Sequence, residues 1–265
     1  MNRNGLLRVL VAVLIVATYS IFIFCDHQFI EYIGSEDAPI ETTGAIAFLV
    51  AAGLLFCAYL YSSGQGGTLG KSTTKRNAFY FVLAISFLIC LGEEISWGQR
   101  LFGWDTPDAW SRVNSQQETN LHNLRFFQGS TSRNHEAFSL LHHNTLFAAC
   151  VLALCVVIPL MNRLWGRASC FLRRIRFPVT QLWIGGLVIL NYVLFKITVR
   201  LSPPVCYDCA QELKESLYSV LLALFALCEL TRVIAGRTRQ ERGQIQSAPM
   251  DPVHGLDGSL PAQHV

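Results

Sequence analysis

Six apolar stretches in the chain are each long enough to cross a membrane as a helix. A bilayer core of about 30 Å requires roughly 20 helical residues, and an apolar run of that length is typical of a transmembrane helix. The stretches cover residues 6–24, 42–61, 78–97, 138–160, 179–199 and 216–235. We therefore predict an all-α fold, an integral membrane helical bundle of about six transmembrane helices.

The composition agrees with this interpretation. Apolar residues make up 52% of the 265 residues and charged residues 15%, whereas a soluble domain carries about 25% charge. A surface that faces acyl chains needs no charge, so the deficit indicates that much of the chain contacts lipid. The net charge is only +3, and no basic run is interleaved with aromatic residues. This excludes nucleic acid and leaves membrane lipids as the expected partners.

The Lys and Arg residues of the connecting segments predict the orientation. Positive segments stay in the cytoplasm. Here they come before the first stretch, between the second and third, between the fourth and fifth, and after the sixth. The opposite segment 25–41 is acidic. We expect both termini to be cytoplasmic in a multi-pass protein of the cell membrane. We predict that the first stretch is a retained signal anchor, because its run of about 19 apolar residues is longer than that of a cleavable signal sequence.

The chain divides into a membrane domain and a polar tail. We expect residues 1–235 to form the transmembrane helical domain. Within it, residues 98–137 make a connection far longer than the roughly 12–15 residues of an ordinary loop. Its aromatic residues are typical of a membrane interface, so we predict a cap over the outer end. Residues 236–265 are rich in Gln, Gly, Pro, Ser and Asp and predict a disordered cytoplasmic tail.

Two acidic residues end the third stretch, and two histidines begin the fourth. At about 1.5 Å per residue, Glu93 and Glu94 lie a few ångströms below the outer boundary, and His142 and His143 lie at a similar depth. An acidic side chain at the centre of the membrane costs roughly 2.5–3.5 kcal/mol on the insertion scale, and a position near the outer boundary reduces this cost without removing it. The two glutamates either mark a helix end that touches water or lie among other polar side chains, and the histidines at the same depth favour the second interpretation. We predict that these side chains converge on a partly water-shielded cavity.

Histidines concentrate at the same end. Five of the seven map there, and the other two lie in the tail. In the cap, residues 116–127 predict a short interfacial helix with Glu118, His122 and Arg125 on one face. Imidazole with carboxylate suits a divalent metal such as Zn²⁺ and equally suits a proton relay. The spacing matches no standard metal signature, so both interpretations stay open.

Two strings, GEEISWGQR at 92–100 and ETNLHN at 118–123, resemble a poorly characterised family of bacterial multi-pass membrane proteins. That family carries E-E-x-S-W-G-Q-R followed by N-L-H-N. The resemblance covers mainly residues 90–145, and it implies the inner membrane if the host is Gram-negative but no particular reaction. Acid and histidine residues within a membrane are also similar to those of alkaline ceramidase-type lipid hydrolases, although this chain has six predicted spans rather than seven and lacks H-x-x-x-H in the last.

The leading hypothesis is a metal-assisted hydrolase or transferase that acts on a lipid or lipid-linked substrate near the outer leaflet. The candidate catalytic residues are Glu93, Glu94, His122, His142 and His143. The candidate metal ligands are Glu94, His122 and His143. The candidate substrate-binding residues are Trp97, Gln99, Arg100, Asn120 and Arg125. We expect the two arginines to meet an anionic head group.

Two other functions remain open. A proton- or cation-coupled transporter would use the same side chains as a relay, although the largely apolar inner halves of the spans count against it. A non-catalytic assembly or sensor protein would use the cap as a partner surface. In the last outer loop, Cys206 and Cys209 form a C-x-x-C, which suits either a disulfide or half of a zinc site.

Overall fold

The computed structural model describes residues 3–34, 38–62, 75–128, 142–201 and 207–247, and within these ranges it confirms an all-helical protein. In chain order the helices are α1 (Arg3–Phe24), α2 (His27–Gly34), α3 (Pro39–Tyr61), α4 (Ala78–Glu94), α5 (Gln99–Phe102), α6 (Asp108–Ser111), α7 (Arg125–Gln128), α8 (His143–Leu152), α9 (Ile158–Leu164), α10 (Gly166–Arg174), α11 (Leu182–Leu201) and α12 (Tyr207–Ser247). A π-helical turn, Ala153–Val157, joins α8 to α9. α8 and α9 therefore form one continuous helical segment, His143–Leu164.

Within the described ranges, five helical segments are long and apolar enough to cross a membrane. They are α1, α2 with α3, α8 with α9, α11 and α12. Many of their large apolar side chains point outward, as Leu14 does with 65% of its surface exposed, which suits contact with lipid. The other predicted span, α4, has 17 residues and covers about 25 Å. The described helices are thus compatible with a multi-pass membrane protein, and α4 is shorter than the five segments that meet the length requirement.

The centre of the bundle is the contact between α3 and α12. α4 packs against α3, and α11 packs against both α12 and α1. Small residues bring α3 close to α12, since a Cβ on Gly44 would lie 3.4 Å from the Cα of Ser216. An aromatic cluster with ring centroids 6.0–6.2 Å apart fills the adjacent space and consists of Phe48, Phe87, Phe147 and Tyr218.

Hydrogen bonds show which connecting segments share an end of the bundle. The side-chain amide of Asn77 donates to the carbonyl oxygen of Arg176 at 2.7 Å, and Arg176 Nη1 donates to the carbonyl of Lys75 at 3.1 Å. Arg232 Nη1 donates to the carbonyl of Val179 at 3.4 Å. The basic segments that follow α3 and α10 therefore meet the part of α12 around Arg232 at one end, here called the inner end. The opposite end, which carries α2 and the cap, is called the outer end.

The structure differs from the sequence prediction in the tail. α12 continues past Gly236, where we predicted disorder, and ends at Ser247. This extension is rich in Arg, Gln and Glu, which are good helix formers, so it prolongs a helix already nucleated in the bundle. Residues 248–265, cap residues 129–137 and Cys206 lie outside the described residues, and the C-x-x-C prediction falls there with them.

The prediction of a short helix over residues 116–127 is wrong. Only Arg125–Gln128 is helical, and the preceding residues form turns closed by a bridge between Asn114 and Leu124. The side-chain oxygen of Asn114 accepts hydrogen bonds from the backbone N–H groups of Gln116 and Glu118 at 3.0 and 3.2 Å. Such side-chain bonds compete with helical ones, so Asn114 organises a turn here.

Candidate acid–imidazole site

α4 ends in a tight turn that the local sequence explains. Ser96 and Trp97 have φ values of 46° and 54°, and Gly98 follows with 86°. Left-handed backbone is strained for residues other than glycine and is often found at functional sites. The turn folds the Trp97 ring back over Gly92, where an added Cβ would lie 3.0 Å from the ring. Trp97 Nε1 then donates to Glu93 Oε1 at 2.8 Å.

Glu93 holds the cap onto the end of α4. Its Oε2 accepts the backbone N–H groups of Leu121 and His122 at 2.7 and 2.9 Å. The Nδ1 atom of His122 lies 3.4 Å from the same oxygen. The Glu93 side chain is only 15% exposed, so these bonds are largely shielded from water. Glu93 therefore positions His122, which is a more specific role than the catalytic one predicted from sequence.

A second set of buried polar bonds joins the same two segments. The hydroxyl of Ser96 is fully buried and donates to Glu118 Oε2 at 2.6 Å. The amide of Asn120 donates to Glu118 Oε2 at 2.8 Å and to Ser96 Oγ at 3.1 Å. Asn114 Nδ2 donates to the carbonyl and side-chain oxygens of Asn120, both at 2.9 Å. The strings GEEISWGQR and ETNLHN are thus hydrogen-bonded partners in one folded unit.

The three histidines predicted at the site lie together. The rings of His142 and His143 stack with centroids 4.6 Å apart, and the ring of His122 lies 5.4 Å from that of His143. His142 precedes α8 and caps it, since its Nδ1 accepts the backbone N–H of Asn144 at 3.3 Å. Burial, followed by the ammonium of Lys214, lowers the pKa of His142, which favours a neutral imidazole here.

These side chains line one cavity of about 800 Å³ at the outer end. All five predicted catalytic residues, Glu93, Glu94, His122, His142 and His143, belong to its wall. Besides these three imidazoles, the wall carries seven carboxylates, and among its described residues it has no Lys or Arg. The predicted convergence of the α4 acids with the α8 histidines is therefore found. The wall of the cavity is therefore rich in acidic side chains.

Sequence reasoning missed most of the acidic wall. Asp208, Glu212 and Glu215 line the cavity from α12. They are spaced i, i+4 and i+7, which places them on one helix face. That spacing could have been found in the sequence, but these residues lie in a segment that we treated as a loop. Glu31 and Glu41 complete the wall from α2 and α3, and no local pattern indicated them.

Behind the wall, Lys214 ties α12 to its neighbours. Its Nζ lies 3.4 Å from Glu215 Oε1 and 4.8 Å from the ring centroid of Phe195. Its carbonyl accepts the side-chain amide of Asn191 at 2.9 Å, and Asn191 Oδ1 accepts the hydroxyl of Tyr19 at 2.8 Å. Asn191 thus links three helices by hydrogen bonds, as polar residues in membrane helices commonly do.

The described side chains among the predicted substrate-binding residues lie outside the cavity wall. Asn120 is 1% exposed inside the cap, and Gln99 Oε1 accepts the backbone N–H of Thr119 at 2.7 Å. Trp97, Gln99, Asn120 and Arg125 are not among the residues that line the cavity. Arg100 lies in α5, but its side chain is outside what the structure describes.

The predicted metal ligands share the cavity without forming a ligand set. Among the described residues, no three His, Cys, Asp or Glu side chains are grouped so that they could hold a metal ion. The metal-binding prediction therefore finds no support in this part of the chain, whereas the imidazole of His122 does contact the Glu93 carboxylate.

Comparison of the chain with models of known protein families, with curated proteins and with solved structures finds no match. The family resemblance of the two strings therefore stays a prediction.

Proposed function

We propose that the protein is a six-span enzyme of the cell membrane, a hydrolase or transferase that acts on a lipid or lipid-linked substrate from the outer leaflet. The observation that carries this proposal is that all five predicted catalytic side chains line the same cavity, which has a volume of about 800 Å³. Small-molecule sites usually measure about 300–1,000 Å³. We count α4 as the sixth span because it packs extensively against α3 and because about 17 residues can still cross a bilayer. The basic inner end would then face the cytoplasm.

The chemistry we propose is general acid–base catalysis. One neutral imidazole, that of His122 or His143, takes a proton from the attacking water or hydroxyl group. The protonated partner imidazole, or the carboxyl group of Glu94, returns a proton to the leaving oxygen. Glu93 acts through His122 as a positioning residue, because its carboxylate accepts the backbone N–H and faces the ring of that histidine. Water is supplied from the outer end.

The charge of the cavity restricts the substrate. The wall has seven acidic side chains and no described Lys or Arg, so it offers an anionic head group no cationic partner, and each ionised carboxylate would add repulsion in a partly dehydrated site. The part of the substrate that enters the cavity is therefore neutral or cationic, such as an amine-bearing head group. The anionic head group expected from Arg100 and Arg125 is not part of this proposal.

The proposal is tested by comparing membrane lipids from cells that express wild-type protein, His143→Ala or Glu94→Gln. His27→Ala is the matched control, because His27 lies at the outer end but outside the cavity wall. Untargeted mass spectrometry should show one lipid or lipid-linked species consumed by wild type and His27→Ala, and spared by the other two variants. Thermal unfolding of each purified variant in detergent separates lost chemistry from lost folding.

Two outcomes would end the proposal: no lipid-linked species that depends on the wild-type protein, or full turnover by His143→Ala. If the variants only lower stability, the protein is a non-catalytic assembly or sensor component. Metal analysis of the same samples addresses the metal-assisted version. Stoichiometric metal in wild type that is lost in both Glu94→Gln and His143→Ala would restore it.

A proton- or cation-coupled transporter is the second candidate, because α12 carries a carboxylate at each end of the bundle. Glu215 lines the outer cavity and Glu229 lines a smaller cavity at the inner end, about 21 Å apart along the helix. Buried apolar residues of α12, including Leu221, Leu222 and Phe225, separate them. Proteoliposomes with an imposed pH gradient test this candidate. Proton uptake that Glu215→Gln abolishes would support it over an enzyme.

A further inference from the structure

A second cavity, of about 380 Å³, opens at the inner end and has the opposite charge. Its polar wall consists mainly of Arg173, Arg176, Arg232, Asn77, Ser62 and Glu229. Three arginines therefore face one carboxylate. Two of the uncharged polar residues, Ser62 and Asn77, are 1% and 8% exposed, so the cavity has a buried polar floor as well as a charged rim.

The single carboxylate is already neutralised within the protein. Glu229 is 1% exposed, and Arg232 Nη1 lies 2.6 Å from its Oε1. The hydroxyl of Tyr80 donates to the other carboxylate oxygen at 3.0 Å. With this pair balanced, Arg173 and Arg176 give the cavity a net positive charge.

The positions of the two remaining arginines differ in a useful way. Arg176 is held in place, because its guanidinium donates to the carbonyls of Lys75 and Ser62 at 3.1 and 3.5 Å. A guanidinium has five N–H donors, so this one keeps donors for a ligand. Arg173 is exposed at the end of α10. A held arginine and an exposed one, three residues apart at the end of α10, suit an oxygen-rich anion.

The surface next to the cavity is apolar. Leu164, Trp165 and Phe171 are 79%, 54% and 60% exposed, and they flank or belong to α10, whose other residues include Arg167, Arg173 and Arg174. A short helix with outward aromatic residues and several arginines is typical of a membrane interface. The mouth of the cavity therefore lies at the depth of lipid head groups.

We propose that the inner cavity binds the phosphate of an anionic membrane lipid, with Arg173 and Arg176 contacting the phosphate oxygens and the acyl chains lying along the apolar face of α10. Arginine matches phosphate by paired N–H···O bonds. Basic pockets between transmembrane helices on the cytoplasmic side are a recurring place for such head groups. This site is independent of the outer cavity and of its chemistry.

The test uses the full chain in a mild detergent, titrated with dioleoylphosphatidylglycerol or dioleoylphosphatidylcholine and followed by native mass spectrometry and thermal unfolding. Phosphatidylglycerol should bind saturably and phosphatidylcholine more weakly. Arg173→Gln should weaken phosphatidylglycerol about fivefold, the usual effect of one basic residue near a membrane surface. The matched control is Arg167→Gln, which changes the same helix outside the cavity and should bind as wild type does.

Arg173→Lys keeps the charge and should retain most of the binding, which separates charge loss from a folding defect. An equal loss in Arg167→Gln would overturn the proposal, because it would indicate diffuse attraction to a basic surface. Inorganic phosphate that binds the cavity alone, without preference between the two lipids, would overturn it as well. His143→Ala should bind phosphatidylglycerol normally, so failure of the catalytic proposal leaves this result unaffected.

Discussion

Replacing Glu93 by Gln should release the cap from the end of α4 while leaving the bundle folded. In wild type, one carboxylate oxygen accepts the indole N–H of Trp97, and the other accepts the backbone N–H groups of Leu121 and His122. A Gln side chain has only one acceptor oxygen. If that oxygen keeps the two backbone donors, the new amide group faces the indole N–H, and two donors then oppose each other.

The size of the effect follows from these three bonds. A hydrogen bond to a charged acceptor contributes about 1.5–3 kcal/mol and a neutral one about 0.5–1.5 kcal/mol. Each bond that loses its charged acceptor therefore weakens by about 1 kcal/mol. The side chain is 15% exposed, and water replaces part of what is lost. We expect the local opening of the cap to become about 2 kcal/mol easier, or roughly 30-fold more populated.

Hydrogen–deuterium exchange in detergent measures this opening directly. Peptides that contain Leu121 and His122 should exchange roughly 30-fold faster in Glu93→Gln, and peptides from α3 should be unchanged. Glu31→Gln is the control, because Glu31 lines the same cavity but its side chain is 51% exposed. Unchanged exchange in the cap would refute the role of Glu93 as its anchor, and uniformly faster exchange would place the residue in the global core instead.

Three further predictions concern stability in detergent. Gly185→Ala should lower the thermal midpoint, because its Cβ would clash with the carbonyl oxygen of Cys155 in the π-helical turn, whereas Gly186→Ala, which has open space, should not. Ser96→Ala should cost about 1–3 kcal/mol, because the half-buried carboxylate of Glu118 loses a donor and the buried amide of Asn120 loses an acceptor. Ser86→Ala, whose hydroxyl bonds to its own helix, should cost little. Burial and a nearby ammonium lower the pKa of His142. Near pH 6.5 the unfolded chain therefore binds more protons than the folded chain, and the free energy of unfolding falls as the pH drops below that value. The variant His142→Asn, whose side chain can still cap α8, should show a smaller fall in the thermal midpoint between pH 7 and pH 5 than wild type does.

The long helices could be predicted from the sequence because an apolar run of about 20 residues has few alternatives in a chain of this kind. Their ends could not. α4 stops at Glu94 because Ser96, Trp97 and Gly98 take left-handed backbone, a choice that depends on hydrogen bonds to a cap some 20 residues further on. α12 runs to Ser247 because its packed part nucleates a helix that continues into the polar residues after Gly236. The composition of those residues alone predicts a disordered tail.

The site shows the same division. Convergence of the α4 acids with the α8 histidines followed from their equal depth, which the helical rise determines. The roles of the individual residues in the site could not be predicted in this way. Depth in the membrane does not distinguish Glu93, which accepts hydrogen bonds from the cap, from Glu94, its neighbour in the cavity wall. The helix assigned to residues 116–127 failed for a related reason. Periodicity indicated a face, but the side chains of Asn114 and Asn120 bond to nearby backbone and to each other, which favours turns.

The hydrogen bonds between GEEISWGQR and ETNLHN change what a resemblance in those strings can mean. Ser96 bonds to Glu118, and Glu93 bonds to the backbone of His122, so each string is needed to fold the other. A chain that carries both would share the capped end of α4 whatever reaction it performs. On the proposed mechanism, the chemistry draws on Glu94 and His122 within the strings and on His143 outside them, and α12 supplies further acidic groups of the cavity wall. Only a chain that has the strings together with those outside groups would be expected to share the cavity, so a resemblance confined to the strings predicts the capped end of α4 and not a shared function.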